Sequence, residues 1–338
     1  MLKRSAIRNG LAALIVVSLS TSCSGSDRGK PLPLKQFADI PLPGRTTRWD
    51  YTSFDASRHH LFIAHLGDGA ITVFDTERQQ VVTNIDGVDS VHGTLVVPEL
   101  GRIYASATGT NEVVAIDTES LKIVARIPGG VYPDGMAYAP ASHMLFVSDE
   151  YGETETVIDT RINERIATIP LGGKAGNTQY DPVSKHIFVN EQKHGQLVEI
   201  DPVTNQVVAR VDLAGADDNH GLYIDAADRL AFIACEGNHK LLVLDMVSRR
   251  VMASFETGDD PDVLAFDEGL GLLYVASESG TVSMFKVKDR QVTELGRAKL
   301  DPSAHVVAVD PKMHWVYFPL ENIDGHSVLR VVAPDISQ

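Results

Sequence analysis

One pattern recurs along this chain about every 42 residues. The segments 50–55, 92–97, 134–139, 176–181, 220–225, 262–267 and 305–310 each open a unit, and their leading residues stand 42 to 44 positions apart. Within a unit the order is constant. An apolar first strand ends in an Asp-containing turn, as in Tyr180-Asp181-Pro182 and Val309-Asp310-Pro311. A β-branched and aromatic second strand follows, at 61–64, 103–106, 145–148, 187–190, 231–234, 273–276 and 316–319. A third strand ends in Phe74-Asp75-Thr76, Ile116-Asp117-Thr118, Ile158-Asp159-Thr160, Ile200-Asp201-Pro202 or Leu244-Asp245, and a fourth lies at 81–85, 123–127, 165–169, 207–211 or 251–255. A unit this small cannot bury its apolar faces alone, so neighbours must cover them. A fixed period in the forties with four short strands per unit predicts an all-β fold, a seven-bladed β-propeller with four-stranded blades.

The last unit supplies only three strands after His305, whereas 35–40 reads as a lone strand before the first full unit. That strand is expected to complete the last blade, which ties the termini together and removes the free sheet edges of an open ring. The Asp at each strand end has a structural role in this reading: its carboxylate accepts backbone N–H groups of the turn.

The N-terminus reads differently. Lys3, Arg4 and Arg8 precede a short apolar run at 11–19, and Ser20, Thr21 and Ser22 lead to Cys23. A run this short does not span a bilayer as a mature helix and reads as a secretory signal, residues 1–22. Its end resembles a bacterial lipoprotein signal, with Ser20 in place of the usual leucine and Leu19 one position further back. That resemblance implies lipidation at Cys23, and Ser24 implies outer-membrane sorting and a periplasmic location in a Gram-negative cell, or the cell surface in a Gram-positive one. Plain secretion with an incidental cysteine is the alternative. Residues 23–34, rich in Ser, Gly, Asp, Lys and Pro, read as a flexible tether, leaving 35–338 for the propeller.

Removing 1–22 takes away three basic groups and no acidic one, so the net charge moves from −15 to −18. Such a surface disfavours nucleic acid and anionic membrane, leaving the lipid as the expected membrane contact. Cys235 is then the one cysteine besides Cys23, which predicts a buried structural thiol and no intramolecular disulfide.

Further residues resemble the YVTN family of seven-bladed propellers. They are Phe188-Val189-Asn190, Leu273-Tyr274-Val275-Ala276, Ile158-Asp159-Thr160 with Ile166-Ala167-Thr168-Ile169-Pro170, and Tyr132-Pro133-Asp134-Gly135. The resemblance spans residues 35–333 and implies an exported or surface-located propeller without specifying an activity. The Trp-Asp and Gly-His signatures of WD40 repeats do not recur with the period, since Trp49-Asp50 and Gly325-His326 each stand alone, and Cys-x-x-Cys-His, His-Glu-x-x-His and Gly-x-Ser-x-Gly are missing.

The period also aligns side chains. Innermost strands line the channel of a propeller, and their first positions here are Asp50, His92, Asp134, Gly176, His220, Asp262 and His305. His and Asp alternate around this ring, with a gap at Gly176 into which Asn177 is expected to project. The loops between second and third strands share that rim and add His65, Glu150, Glu191, Glu236, Glu278 and Glu321. Such a ring can be an electrostatic collar in which His and Asp satisfy one another. It can instead hold a divalent metal ion, for example through His220, Asp262 and His305, or an organic ligand. The function expected is binding or scaffolding by a monomeric exported propeller whose rim takes a protein partner, metal or small ligand. The alternative is a metal-dependent lyase or hydrolase acting on a lactone, ester or sugar, with a ring His or Glu191 moving the proton.

Overall fold

The computed structural model describes residues 30–335; the signal segment and Cys23 lie outside the described residues. Seven four-stranded antiparallel sheets form a ring. Blades 1 to 6 are residues 52–86, 91–128, 133–170, 175–212, 219–256 and 261–299. Blade 7 combines residues 308–334 with the first strand of the chain, Leu34–Pro41, which lies antiparallel to His326–Pro334. The N-terminal strand therefore closes the ring as the repeat count requires, and Arg330 clamps it through two bonds to Asp39, at 2.6 and 2.8 Å. Part of the segment read as a tether joins the fold: the Arg297 N–H donates to the Lys30 carbonyl, and Leu32 and Leu34 pack between blades 6 and 7.

Burial follows strand position. Second and third strands are apolar and buried along their length, as in Leu230–Cys235 of blade 5, because sheets cover both faces. Outermost strands alternate, as in Arg250–Glu256, because one face meets water. Seven apolar clusters result, one at each junction between adjacent blades, including the junction of blades 7 and 1, where Trp49, Leu61, Phe74 and Tyr317 pack together.

The turn carboxylates behave as the repeat suggests. Asp75 accepts from the N–H groups of Glu77 and Arg78 at 3.0 and 2.8 Å, and Asp55, Asp181, Asp225 and Asp310 repeat the pattern. Four residues after these Asp residues the backbone turns left-handed, at Gln79, His59, Lys185, Arg229 and His314. These aspartates are structural.

One irregularity positions the site. Near the start of the innermost strand in blades 2 to 6 the ladder to the second strand slips. In blade 2, Val91 pairs with Ala107 but Thr94 with Ala105, so His92 and Gly93 together face one residue, Ser106. Asp134, Gly176, His220 and Asp262 occupy the same bulge. A bulge bends the strand and re-aims its side chains. Here it turns the ring residues toward the axis. Gly93 and Gly221 let the blades converge there, since a Cβ at either would strike the carbonyl oxygen of Asp134 or Asp262 on the next blade.

Candidate binding site at the channel mouth

Five predicted ring residues, Asp50, His92, Asp134, His220 and Asp262, share one recess of about 240 Å³ with three predicted loop carboxylates, Glu150, Glu236 and Glu278. Five residues not foreseen complete it: Arg48, Tyr51, Tyr132, Tyr151 and Lys174. Arg48, Tyr132 and Lys174 each stand two positions ahead of a ring residue. The backbone at Tyr132 is left-handed, a bend that lifts its side chain over the mouth.

The remaining predicted residues lie elsewhere. His305 is buried with Nε2 at 2.9 Å from the Trp49 carbonyl and Nδ1 at 3.2 Å from the Ser303 carbonyl, so both nitrogens are engaged by backbone. His65 stacks on Trp49, with ring centroids 3.7 Å apart, and bonds Thr47. Glu191 is buried and accepts the His194 N–H at 3.1 Å within its own loop. The Glu321 backbone N–H bonds Ser303, and Glu321 does not line the recess. Asn177 lies below the mouth and donates to the Tyr51 phenol at 3.0 Å.

Tyr51 organises the floor. Its hydroxyl donates to Asp262 Oδ1 at 2.5 Å and receives bonds from Asn177 Nδ2 and, at 3.1 Å, from His220 Nε2. The side chain thus reaches from blade 1 to blades 4, 5 and 6, and it lines both the mouth and the channel cavity beneath, which is about 190 Å³. At the matching position blades 2, 3 and 5 carry Gly93, Gly135 and Gly221, which leaves room for this ring. Burial and the Asp262 carboxylate push its phenol well above the ordinary value, so it acts as a neutral donor.

His220 is the centre of the charged side. Its Nε2 lies 3.4 Å from Asp134 Oδ2 and 3.7 Å from Asp262 Oδ1, and its Nδ1 lies 3.7 Å from Glu236 Oε1. Asp134 belongs to blade 3, two blades away. The absence of a side chain at Gly176 opens the path, and a Cβ there would sit 2.8 Å from His220 Cα. Burial alone would lower His220, but Glu236, Asp134 and Asp262 together drive it well above its usual value. Burial alone would raise Asp134, but its bond to His220 holds it below the carboxylate norm. Burial pushes Glu236 up to about 7, against the pull of His220. Burial likewise takes Asp50 up to about 6, although Arg48 and His92 oppose it.

The opposite side is already paired. Arg48 donates to Glu278 at 2.6 Å and to Asp50 at 3.3 Å, and Lys174 meets Glu150 at 2.5 Å. His92 donates from Nδ1 to the Ser90 carbonyl, so its Nε2 accepts from the Tyr132 hydroxyl at 2.9 Å. Tyr132 packs against Tyr151, and Lys174 lies over the Tyr151 ring. An aromatic and cationic lip therefore faces a carboxylate–imidazole cluster. His220, Glu236 and Asp262 each offer a ligand atom within 4.8 Å of the others, a set able to hold a metal ion. Cys235 is free and buried below the rim, and burial pushes its thiol up to about 12, as suits a structural group.

No family model matches the chain, and no curated protein matches its sequence. Solved structures do share its fold. One is a hydrazine synthase of Kuenenia stuttgartiensis, with a TM-score of 0.73 at 14% identity, covering 93% of this chain and 99% of that one. Another is U3-55K, also at 0.73, with 10% identity over 87% of this chain and 98% of that one. At these identities the likeness is one of fold alone, and a propeller carries many unrelated functions.

Proposed function

We propose that this chain is an exported binding propeller, held to a membrane by a lipid on Cys23, which takes a small polar or cationic ligand in its channel mouth. The supporting observation is the recess itself: six carboxylates, four basic or imidazole groups and three tyrosines from blades 1 to 6 converge on about 240 Å³ open to solvent. An excess of buried negative charge attracts cations, and the tyrosines offer faces to an organic one. Export rests on the signal-like segment, the lipid anchor on the residues around Cys23, and the YVTN resemblance on the repeat residues.

A thermal-shift panel on the full chain tests the binding reading, using divalent ions, organic ammonium ions, carboxylates and sugars. At least one class should raise the wild-type Tm by several degrees and do so less in Tyr132→Ala or Lys174→Ala. If no class shifts the wild type, the reading fails. Metabolic labelling with a fatty acid, lost in Cys23→Ala, tests the anchor.

A metal-assisted lyase or hydrolase acting on lactones, esters or sugars is the second reading. The grouping of His220, Glu236 and Asp262 in a recess that a small molecule can enter favours it. Turnover of such substrates, lost in Asp262→Asn, would support it; no turnover with saturating Zn²⁺ or Mn²⁺ would remove it.

A further inference from the structure

We infer that the side of the mouth formed by blades 5 and 6 is a mononuclear site for a first-row divalent transition-metal ion of the Mn²⁺ to Zn²⁺ series, held by His220, Glu236 and Asp262. This rests on the reading of the mouth as the ligand site and names the ligand.

The spacing is close to what an ion needs. Ligand atoms about 2.1 Å from a tetrahedral centre lie roughly 3.4 Å from each other. Glu236 stands 3.7 Å from His220 Nδ1 and Asp262 stands 3.7 Å from Nε2, and with one nitrogen as ligand the three donor atoms lie within 4.8 Å of one another, so closing on an ion takes a shift of about an ångström. The supports are rigid: His220 and Asp262 sit in the bulges of two innermost strands, and Glu236 directly follows the buried strand Leu230–Cys235. The mouth's basic side chains, Arg48 and Lys174, are engaged with Glu278 and Glu150, which leaves the imidazole as the immediate neighbour of Glu236 and Asp262.

A second, independent observation points to a missing partner. Asp134 is 2% exposed and lines the recess, yet its Oδ1 has no hydrogen-bond partner among the described residues. A buried carboxylate oxygen left bare is costly, and a bound ion with its waters supplies what the oxygen lacks. The outer groups also suit a metal. The Tyr51 hydroxyl fixes the Asp262 carboxylate. The ligand types select the ion. An imidazole with two carboxylates and open positions suits Mn²⁺, Fe²⁺, Co²⁺ or Zn²⁺, whereas Ca²⁺ and Mg²⁺ prefer oxygen alone.

The test is calorimetric titration of ZnCl₂ into the full chain stripped with EDTA, with Co²⁺ absorption as a second readout. The inference expects one ion per chain in the micromolar range or tighter, not displaced by tenfold Ca²⁺ or Mg²⁺. Asp262→Asn and Glu236→Gln should each weaken it at least tenfold, and Tyr51→Phe, which acts by positioning Asp262, about tenfold. The Glu236 side chain is 24% exposed, so Glu236→Gln keeps the fold, which the Tm in EDTA verifies. Zn²⁺ affinity unchanged in both carboxylate variants, or no binding tighter than about 100 µM, overturns the inference. If metals fail while an organic ligand still shifts the Tm, the mouth remains a binding site and only the metal is wrong. If nothing shifts it, both readings fall.

Discussion

Blades 5 and 7 carry a histidine at the same place in the repeat, and the two have opposite surroundings. His220 faces Asp134, Asp262 and Glu236 in the open recess. His305 faces the carbonyls of Trp49 and Ser303 and contributes nothing to the lining of the mouth. The difference lies in the neighbours. Blade 5 is preceded by the Gly176 gap and followed by Asp262. Blade 7 is followed by the segment entering blade 1, where the Trp49 carbonyl lies within reach of the imidazole and Arg48 projects toward the mouth. One register can thus serve ligand binding at one junction and ring closure at another.

The sharpest way to break this contrast is substitution on each side. His305→Ala bares the buried Trp49 carbonyl and the part-buried Ser303 carbonyl and leaves a cavity, so it should cost about 2–4 kcal/mol and lower the Tm by several degrees. Glu236→Gln, on the recess side, should move the stability of metal-free protein by less than about 1 kcal/mol while abolishing tight ion binding. Equal losses in thermal melts would put His305 and the mouth in one structural network.

Gly176→Ala tests the gap. The new Cβ would fall 2.8 Å from His220 Cα, so blades 4 and 5 must separate. A loss of about 1–3 kcal/mol is expected, together with weaker binding at the mouth. Denaturant unfolding measures the first and ligand titration the second; unchanged stability would mean the blades part freely.

Glu155 extends the comparison to a buried carboxyl outside the mouth. Its position in blade 3 matches Ile71, Val113, Leu197 and Leu241 in other blades, all buried aliphatics, and neither of its oxygens has a hydrogen-bond partner among the described residues. Burial, with Asp149 nearby, holds it far above the ordinary value, so it stays neutral in the fold. The unfolded chain releases that proton above about pH 4.5, so this group's contribution to stability falls as pH rises toward its raised folded value. Glu155→Leu should therefore stabilise by about 1–3 kcal/mol at pH 8 and by less at pH 4, as chemical denaturation at the two values will show. A pH-independent gain would mean the carboxyl is ionised and paired in the fold.

The smallest effect is expected at the seam. Arg330→Ala removes a partly exposed pair with Asp39 and should cost about 1 kcal/mol, because apolar packing carries most of the closure. A loss above about 3 kcal/mol would make the ion pair, and not the strand, the closing element.

The blades, the closing strand and the rim shared by ring and loops were legible because each depends on a periodic pattern. The residues missed obey the same period at other offsets: Arg48, Tyr132 and Lys174 lie two positions before ring residues, and Tyr51 lies where other blades hold glycine. Comparing repeats at every offset, and not only at the strand start, was the signal available. The orientations of His305, His65 and Glu191 were not legible in the same way. Each depends on a partner outside the strand pattern, respectively the Trp49 carbonyl, the Trp49 ring and the His194 N–H.

The most direct measurement is an anomalous difference map from crystals of the full chain grown with ZnCl₂. The account predicts a single strong peak about 2.0–2.2 Å from His220, Glu236 and Asp262, with Tyr51 still bonded to Asp262. Peaks confined to surface histidines or to His305, with the mouth holding only water, would contradict it.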